Sequence, residues 1–334
     1  MVLGDEMKIA VIGAGAWGTA LAVSIGRSSL VSLYGANAEL VGSMKQHREN
    51  QRYLPGVSLS EGVQVTNILD SALDGASGIV MAVPTKGLRQ SVRECQSIVG
   101  DGIPYLITCK GFEVDTGLLP FQVVEDVARK ARYAILSGPS FARDVGEQKS
   151  TVVSLASRDS STSDVFSGVL LQGGVRTYFN DDVIGVSVGG AVKNVIAIAA
   201  GMGDALGIGA SALAGLVTRG LSEVCRLGIA LGAKPETFMG LSGMGDLALT
   251  CFSDLSRNRR LGYALGLGKS LREAEKALGQ VAEGVHAANE VMLLARRLKV
   301  EMPITVAVTR VLSAEISPRD AAAELFARAP KSEA

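Results

Sequence analysis

The sequence predicts a mainly parallel, doubly wound α/β domain followed by an all-helical domain. Three observations carry this. The first half alternates short apolar runs with amphipathic stretches, the rhythm of βαβ units. A glycine-rich turn follows the first apolar run directly. After Asp182 the alternation stops and long Ala-, Leu- and Gly-rich helical patterns take over. The expected division is residues 1–180 and 181–334.

The strands expected in order are KIAVIG (8–13), LVSLYG (30–35), VQVT (63–66), GIVMAV (78–83), YLITC (105–109), YAILS (133–137), TVVSLA (151–156) and a last one over 176–179. Helical stretches at 19–27, 87–98 and 118–130 lie between several of them. Beyond 182 the longest helix spans about 183–206, and its glycines suit a helix approached closely by its neighbours.

At 334 residues the chain exceeds one ordinary core, consistent with two domains. Lys plus Arg equals Asp plus Glu, 33 each, so no global positive field points to nucleic acid. The four cysteines (Cys95, Cys109, Cys225, Cys251) are widely spaced and form no CxxC pair. With an acidic start, MVLGDEMKIAVIG, where a secretory signal is basic, they read as reduced thiols in a cytoplasmic protein. Residues 183–200 approach the length of a membrane span but include Lys193, Asn194 and three glycines, so a core helix and no membrane span are expected.

Gly13-Ala14-Gly15-Ala16-Trp17-Gly18 is GxGxxG between a strand and a helix. Gly13 allows the tight turn, Gly15 lets a pyrophosphate approach the backbone, and Gly18 lets helix and strand pack. The phosphates then face free N–H groups at the helix start, so a Rossmann-type site for NAD or NADP is expected. After the second strand, Gly35-Ala36-Asn37 lacks the carboxylate that would hold the ribose hydroxyls of NAD. That leans towards NADP, with Lys45 and Arg48 following on the next helix and dual use left open.

A nicotinamide cofactor supplies hydride, so the protein must position the substrate and handle one proton. His47 lies in the polar run KQHREN and His286 follows Glu283-Gly284 at a helix start; both read as surface residues. No Cys, His and carboxylate grouping has zinc spacing, so no metal is expected. Elimination leaves Lys193, the only charge between Val183 and Ala200. Burial makes an ammonium a better proton donor, and small neighbours (Gly189, Gly190, Ala197) leave room for a ligand. Lys110-Gly111 and SGPSFARD (137–144) follow strands at the sheet edge where ligands bind, the latter offering N–H groups and the Ser140 hydroxyl. SRNRRLG (256–262) gathers three arginines around Asn258, either a phosphate cradle or a basic surface loop. Asp246 in GMGDLALTC reads most simply as a helix cap, or else orients Lys193 or accepts from a substrate hydroxyl.

Together these stretches resemble the bacterial NAD(P)-dependent glycerol-3-phosphate dehydrogenases. The matching motifs run in order from GAGAWGTAL through VPT (83–85), CKGFE (109–113), SGPSFA (137–142), GGAVKNVIAIAAG (189–201), GMGDLALTC (243–251), SRNRRLG and VAEG (281–284) to MPIT (302–305), nearly the whole chain. The resemblance implies reversible reduction of dihydroxyacetone phosphate to sn-glycerol 3-phosphate, the phospholipid backbone precursor. It implies a Rossmann domain and an all-α domain with the site between them, in a cytoplasmic homodimer.

By this resemblance Lys193 is the proton donor and acceptor. Lys110, Gly138, Ser140, Lys193, Asp246, Ser256, Arg257 and Asn258 contact the phosphorylated substrate. Gly13, Gly15, Ala16, Trp17, Gly18, Lys110, Ala142, Arg257, Val281 and Glu283 contact the cofactor. Two positions depart from the pattern: Ala16 where relatives commonly carry serine, and Ala36 where a basic or polar residue often faces the adenosine end. Dehydrogenases of the 3-hydroxyacid and 6-phosphogluconate type share the plan but typically carry Lys and Asn four apart; here Asn194 adjoins Lys193. A catalytically silent dinucleotide sensor would explain the glycine loop but leaves Lys193, Asp246 and SRNRR without a reason.

Overall fold

The computed structural model describes residues 7–279 and 282–329. They fall into two compact units: one runs through Glu113 and resumes over Leu118–Ser187, the other comprises Val114–Gly117 and the chain from Val188 onward.

The first unit is built on eight strands: β1 (Lys8–Ile12), β2 (Leu30–Tyr34), β3 (Val63–Thr66), β4 (Gly78–Met81), β5 (Tyr105–Ile107), β6 (Tyr133–Ser137), β7 (Thr151–Ala156) and β8 (Val175–Asn180). Their order across the sheet is β3-β2-β1-β4-β5-β6-β7-β8, and only β6 and β7 pair antiparallel. The expected strands are all present, within one or two residues of their expected ends. Ile9 through Ile12 and all of β4 and β5 are buried, as strands covered on both faces must be. The strand order reverses between β1 and β4, which run parallel, and it is at the carboxyl ends of strands at such a switch point that open α/β sheets bind ligands.

Helix α1 (Ala16–Ile25) leaves β1 through the glycine loop. Helix α2 (Ala38–His47) follows β2; its N-cap is Asn37, whose Oδ1 accepts from the Leu40 N–H at 2.8 Å. Helices α3 (Leu69–Leu73), α4 (Thr85–Val99), α5 (Pro120–Val127), α6 (Ala142–Gly146) and α7 (Ser160–Gln172) complete the unit.

Helices α8 (Val183–Ala205) and α9 (Ala210–Ala230) are the two longest of the remaining chain. After them come α10 (Asp246–Phe252), α11 (Arg257–Gly266), α12 (Leu271–Leu278), α13 (Glu283–Leu298), α14 (Pro303–Leu312) and α15 (Pro318–Phe326). Helix α8 is long and apolar enough to cross a membrane, yet 94% of its most apolar window is buried inside the protein. It is a core helix. Glycines let its neighbours reach its backbone: a Cβ on Gly201 would lie 2.0 Å from the Arg259 carbonyl oxygen, and one on Gly262 would lie 2.0 Å from that of Ile198. Helices α8 and α11 therefore touch backbone to backbone, closer than any side chain between them would permit.

Candidate active site

In the first unit the glycine loop has the geometry its spacing requires. Gly13 has φ +117°, a conformation L side chains rarely adopt, and a Cβ there would lie 2.7 Å from the Ala82 carbonyl oxygen on the strand next door. A Cβ on Gly18 would fall 1.9 Å from the Gly13 carbonyl oxygen, so only glycine lets α1 pack on the loop. Gly15 is different. A Cβ there meets nothing within 4 Å, and Gly15 caps α1 with no side-chain hydrogen bond. The space beside Gly15 at the start of α1 is thus open, which fits the approach of a dinucleotide's pyrophosphate to the helix N-terminus. Ala16 and Trp17 begin α1, and Trp17 packs partly buried against the core.

Asn50 holds this loop and went unnoticed in the sequence. It is fully buried; its Nδ2 donates to the Ala14 carbonyl at 3.0 Å and to Thr19 Oγ1 at 2.8 Å, tying the loop to the first turn of α1. Its position in the polar run HRENQR gives no hint of burial. Of the two cations that follow α2's start, Arg48 is committed elsewhere: its guanidinium donates to the carbonyls of Ser60 (2.6 Å) and Val63 (2.9 Å). Lys45 is exposed.

Lys110, Gly138 and Ser140 come together beyond the ends of β5 and β6. Lys110 Nζ donates to the Gly138 carbonyl at 3.4 Å, and Ser140 Oγ donates to the same oxygen at 3.1 Å. Thr85 Oγ1 donates to the Lys110 carbonyl at 3.1 Å, fixing the loop that carries the lysine. Gly138 has φ +142°. Ala142 opens α6 just beyond.

In the second unit Lys193 lies midway along α8, 8% exposed, and its ammonium donates to an Asp246 oxygen and, at 3.0 Å, to Thr250 Oγ1. Asp246 is 1% exposed. A buried ammonium is tolerated only with a compensating charge and hydrogen bonds, and this one has both. Asp246 and Thr250 are one turn apart on α10 and so share a face. Thr250 in turn donates to the Asp246 backbone carbonyl at 2.6 Å. The helix-cap reading of Asp246 is corrected: Gly245 occupies the capping position, and Asp246 lies inside the helix with its carboxylate on Lys193. Thr250 was missed, although its spacing from Asp246 was the available signal.

The expectation that Gly189 leaves room for a ligand is also corrected. A Cβ there would lie 2.4 Å from the Ser242 carbonyl oxygen. That space is filled by the π-helical turn Leu241–Gly245, which leads into α10 and delivers Asp246 to the lysine.

SRNRR divides in two. Arg259 is bound in ion pairs, to Asp204 at 2.8 Å and to Asp254, and cannot serve a phosphate without giving them up. Arg257 and Arg260 are exposed. Ser256 caps α11, its Oγ accepting from the Arg259 N–H at 3.2 Å. Asn258 Oδ1 accepts from the Gly284 N–H at 2.9 Å, and Asn194 Nδ2 donates to Glu283 at 3.4 Å. Asn258, Glu283 and Asn194 are thereby drawn towards one end of α13. Val281 lies outside the described residues. His47 and His286 are exposed, as expected. No group of three or more metal-ligating side chains occurs among the described residues.

Burial pushes the Cys251 thiol, one residue from Thr250, up to about 12, with the Lys193 charge pulling the other way. It is a packing residue at neutral pH.

Two family models match. The N-terminal model of the NAD-dependent glycerol-3-phosphate dehydrogenases covers residues 8–163, and the C-terminal model covers 182–323. Glycerol-3-phosphate dehydrogenase (NAD(P)+) of Dechloromonas aromatica is 48% identical over 98% of this chain and 99% of its own length. The same-named protein of Aromatoleum aromaticum is 46% identical over 98% of this chain and all of its own. The crystal structure of glycerol-3-phosphate dehydrogenase from Coxiella burnetii superposes with a TM-score of 0.93 at 38% identity, covering 97% of this chain and 99% of that one. With both family models matched in order and a buried lysine-carboxylate pair in its helical part, the chain belongs to the NAD-dependent glycerol-3-phosphate dehydrogenase family, a family of NAD(P)-dependent oxidoreductases.

Proposed function

We propose that the protein reduces dihydroxyacetone phosphate to sn-glycerol 3-phosphate, reversibly, with NADH or NADPH, and so supplies the backbone of phospholipids. The observation that carries this reading is the buried Lys193–Asp246 pair, steadied by Thr250, in a chain whose relatives carry that name. When bound, the reduced nicotinamide supplies the hydride. As negative charge develops on the ketone oxygen, Lys193 Nζ would give that oxygen its proton. Asp246 keeps Lys193 cationic until transfer by Coulombic attraction, and Thr250 aims Nζ. In the reverse direction the neutral amine accepts the hydroxyl proton.

In this reading residues 1–180 hold the dinucleotide and 181–334 carry the chemistry. Gly13, Gly15, Ala16, Trp17 and Gly18 cradle the pyrophosphate, with Lys110, Ala142, Arg257, Val281 and Glu283 as further cofactor contacts. Lys110, Gly138, Ser140, Lys193, Asp246, Ser256, Arg257 and Asn258 bind the substrate, the exposed Arg257 meeting its phosphate. The absence of a carboxylate at 35–37 supports a lean towards NADP, tempered by the commitment of Arg48. A cytoplasmic homodimer completes the reading.

The test is loss of reduced-nicotinamide absorbance with dihydroxyacetone phosphate, run in parallel with NADH and NADPH. Turnover with either cofactor is expected. No turnover with both, in a folded protein that binds the cofactor, would favour the silent sensor.

A further inference from the structure

A cavity of about 420 Å³ lies in the helical unit, away from Lys193 along the sequence of α8. Its walls come from Met202 at the end of α8, Leu216 on α9, Ala307 on α14, and Leu325 and Phe326 on α15. The volume falls within the range of small-molecule pockets, roughly 300–1,000 Å³. Its one buried acidic side chain is already satisfied. Glu223 accepts from the N–H groups of Ile304 (2.6 Å) and Thr305 (3.1 Å) and from the Thr305 hydroxyl (3.0 Å), closing the first turn of α14. The remaining walls are mostly hydrocarbon.

The mouth has the opposite character. Arg219, Arg226 and Arg328 line the cavity and also line a second hollow that adds Lys299. Four cations thus line these two hollows, which share Arg219, Arg226 and Arg328, with Glu301 as the acid of the second. Arg226 spends its guanidinium on the Glu301 backbone carbonyl (3.0 and 3.2 Å), and Arg328 stands 3.8 Å from the Glu301 carboxylate. Arg219 and Lys299 are exposed and make no ion pair among the described residues.

An apolar pocket behind a cationic rim is complementary to one ligand shape. We propose that this cavity binds a single-chain anionic amphiphile, its alkyl chain among Leu216, Ala307 and Leu325 and its carboxylate or phosphate head on Arg219 and Lys299. Desolvation of the chain supplies the affinity, and the cations set its orientation and charge selectivity. The site is separate from the residues given catalytic roles above, so its failure would leave the proposed reaction untouched.

Gly215 offers a clean test. It lines the cavity, and a Cβ there meets nothing within 4 Å, so a larger side chain is added at the cavity wall without a clash at its root. Calorimetric titration of the full-length protein would use dodecyl phosphate, dodecanoate and dodecyltrimethylammonium, each below its micelle concentration. Saturable binding of one or both anions and none of the cation is expected. Which anion binds more tightly tells phosphate from carboxylate. Gly215→Phe is expected to abolish binding and Arg219→Glu to weaken it about tenfold, a loss of about 1.4 kcal/mol, with circular dichroism unchanged. No saturable binding, equal binding of the cation, or binding indifferent to Gly215→Phe overturns the proposal. So does sedimentation showing that Gly215→Phe dissociates a dimer while the wild-type protein binds neither anion; a second copy is then the occupant.

Discussion

The ammonium of Lys193 on α8 and the carboxylate of Asp246 on α10, 53 residues apart in sequence, form a buried ion pair with Thr250 as its third member. Neither charge has an alternative in solvent. The pair therefore fixes both the position of the proposed proton donor and the packing of α10 on α8.

Replacing Lys193 by Ala is expected to lower kcat by about 10²–10⁴-fold, the usual worth of a positioned acid, with cofactor affinity largely kept. Near-normal turnover would remove Lys193 from the mechanism.

Asp246→Asn keeps the shape and removes the carboxylate charge that faces a buried ammonium. Such losses cost about 3–5 kcal/mol of stability. Thr250→Val removes two hydrogen bonds, the one from Lys193 and the one to the Asp246 carbonyl, at about 1 kcal/mol each, with a fall in kcat and little change in the cofactor's KM. Urea melts set beside steady-state kinetics separate the two. Equal effects of both substitutions on stability would contradict the charge argument.

The glycine loop makes opposite demands at two positions. Gly18→Ala places a Cβ 1.9 Å from the Gly13 carbonyl oxygen and is expected to destabilise the fold by about 1–3 kcal/mol or more. Gly15→Ala meets nothing, so thermal stability is kept while the dinucleotide's Kd rises. A Gly15→Ala variant with unchanged cofactor affinity would show that no phosphate approaches there.

Within SRNRR the neighbours part company. Arg257→Ala is expected to raise the KM for dihydroxyacetone phosphate with melting temperature unchanged. Arg259→Ala breaks the pairs with Asp204 and Asp254 and lowers the melting temperature. The reverse pattern would exchange their roles.

Alkaline stability follows from two buried thiols. Burial pushes Cys95 and Cys251 from an ordinary 9.0 up to about 12, so above about pH 9 the unfolded chain ionises first and the folded state loses stability until about pH 12. Below pH 9 neither thiol contributes. Cys95→Ala and Cys251→Ala should each flatten the alkaline limb of a stability profile, and iodoacetamide at pH 8 should label these positions only as fast as the chain unfolds. Rapid labelling of Cys251 in the native protein would contradict its burial.

The strands were legible because period-two patterning and apolar runs depend on neighbours in sequence, and a parallel sheet buried on both faces makes those runs long. GxGxxG was legible for the same reason: the turn, the close approach and the helix start lie within six residues. Lys193 stood out as a charge in an apolar helix, which the chain announces by composition alone. Its partner did not. Asp246 reads locally as a helix cap, and only its ion pair with Lys193 shows that the carboxylate turns inward instead. Gly189 reads in sequence as space for a ligand, whereas the fold fills it with backbone. Asn50 sits in a polar run yet is wholly buried, because three-dimensional closure, not local polarity, decides which amide meets the glycine loop. Local patterning along the chain specifies the elements, their order and the lone charge between Val183 and Ala200. Only the tertiary structure decided which polar groups satisfy one another, because a buried hydrogen-bond partner is set by distance in space and owes nothing to distance along the chain.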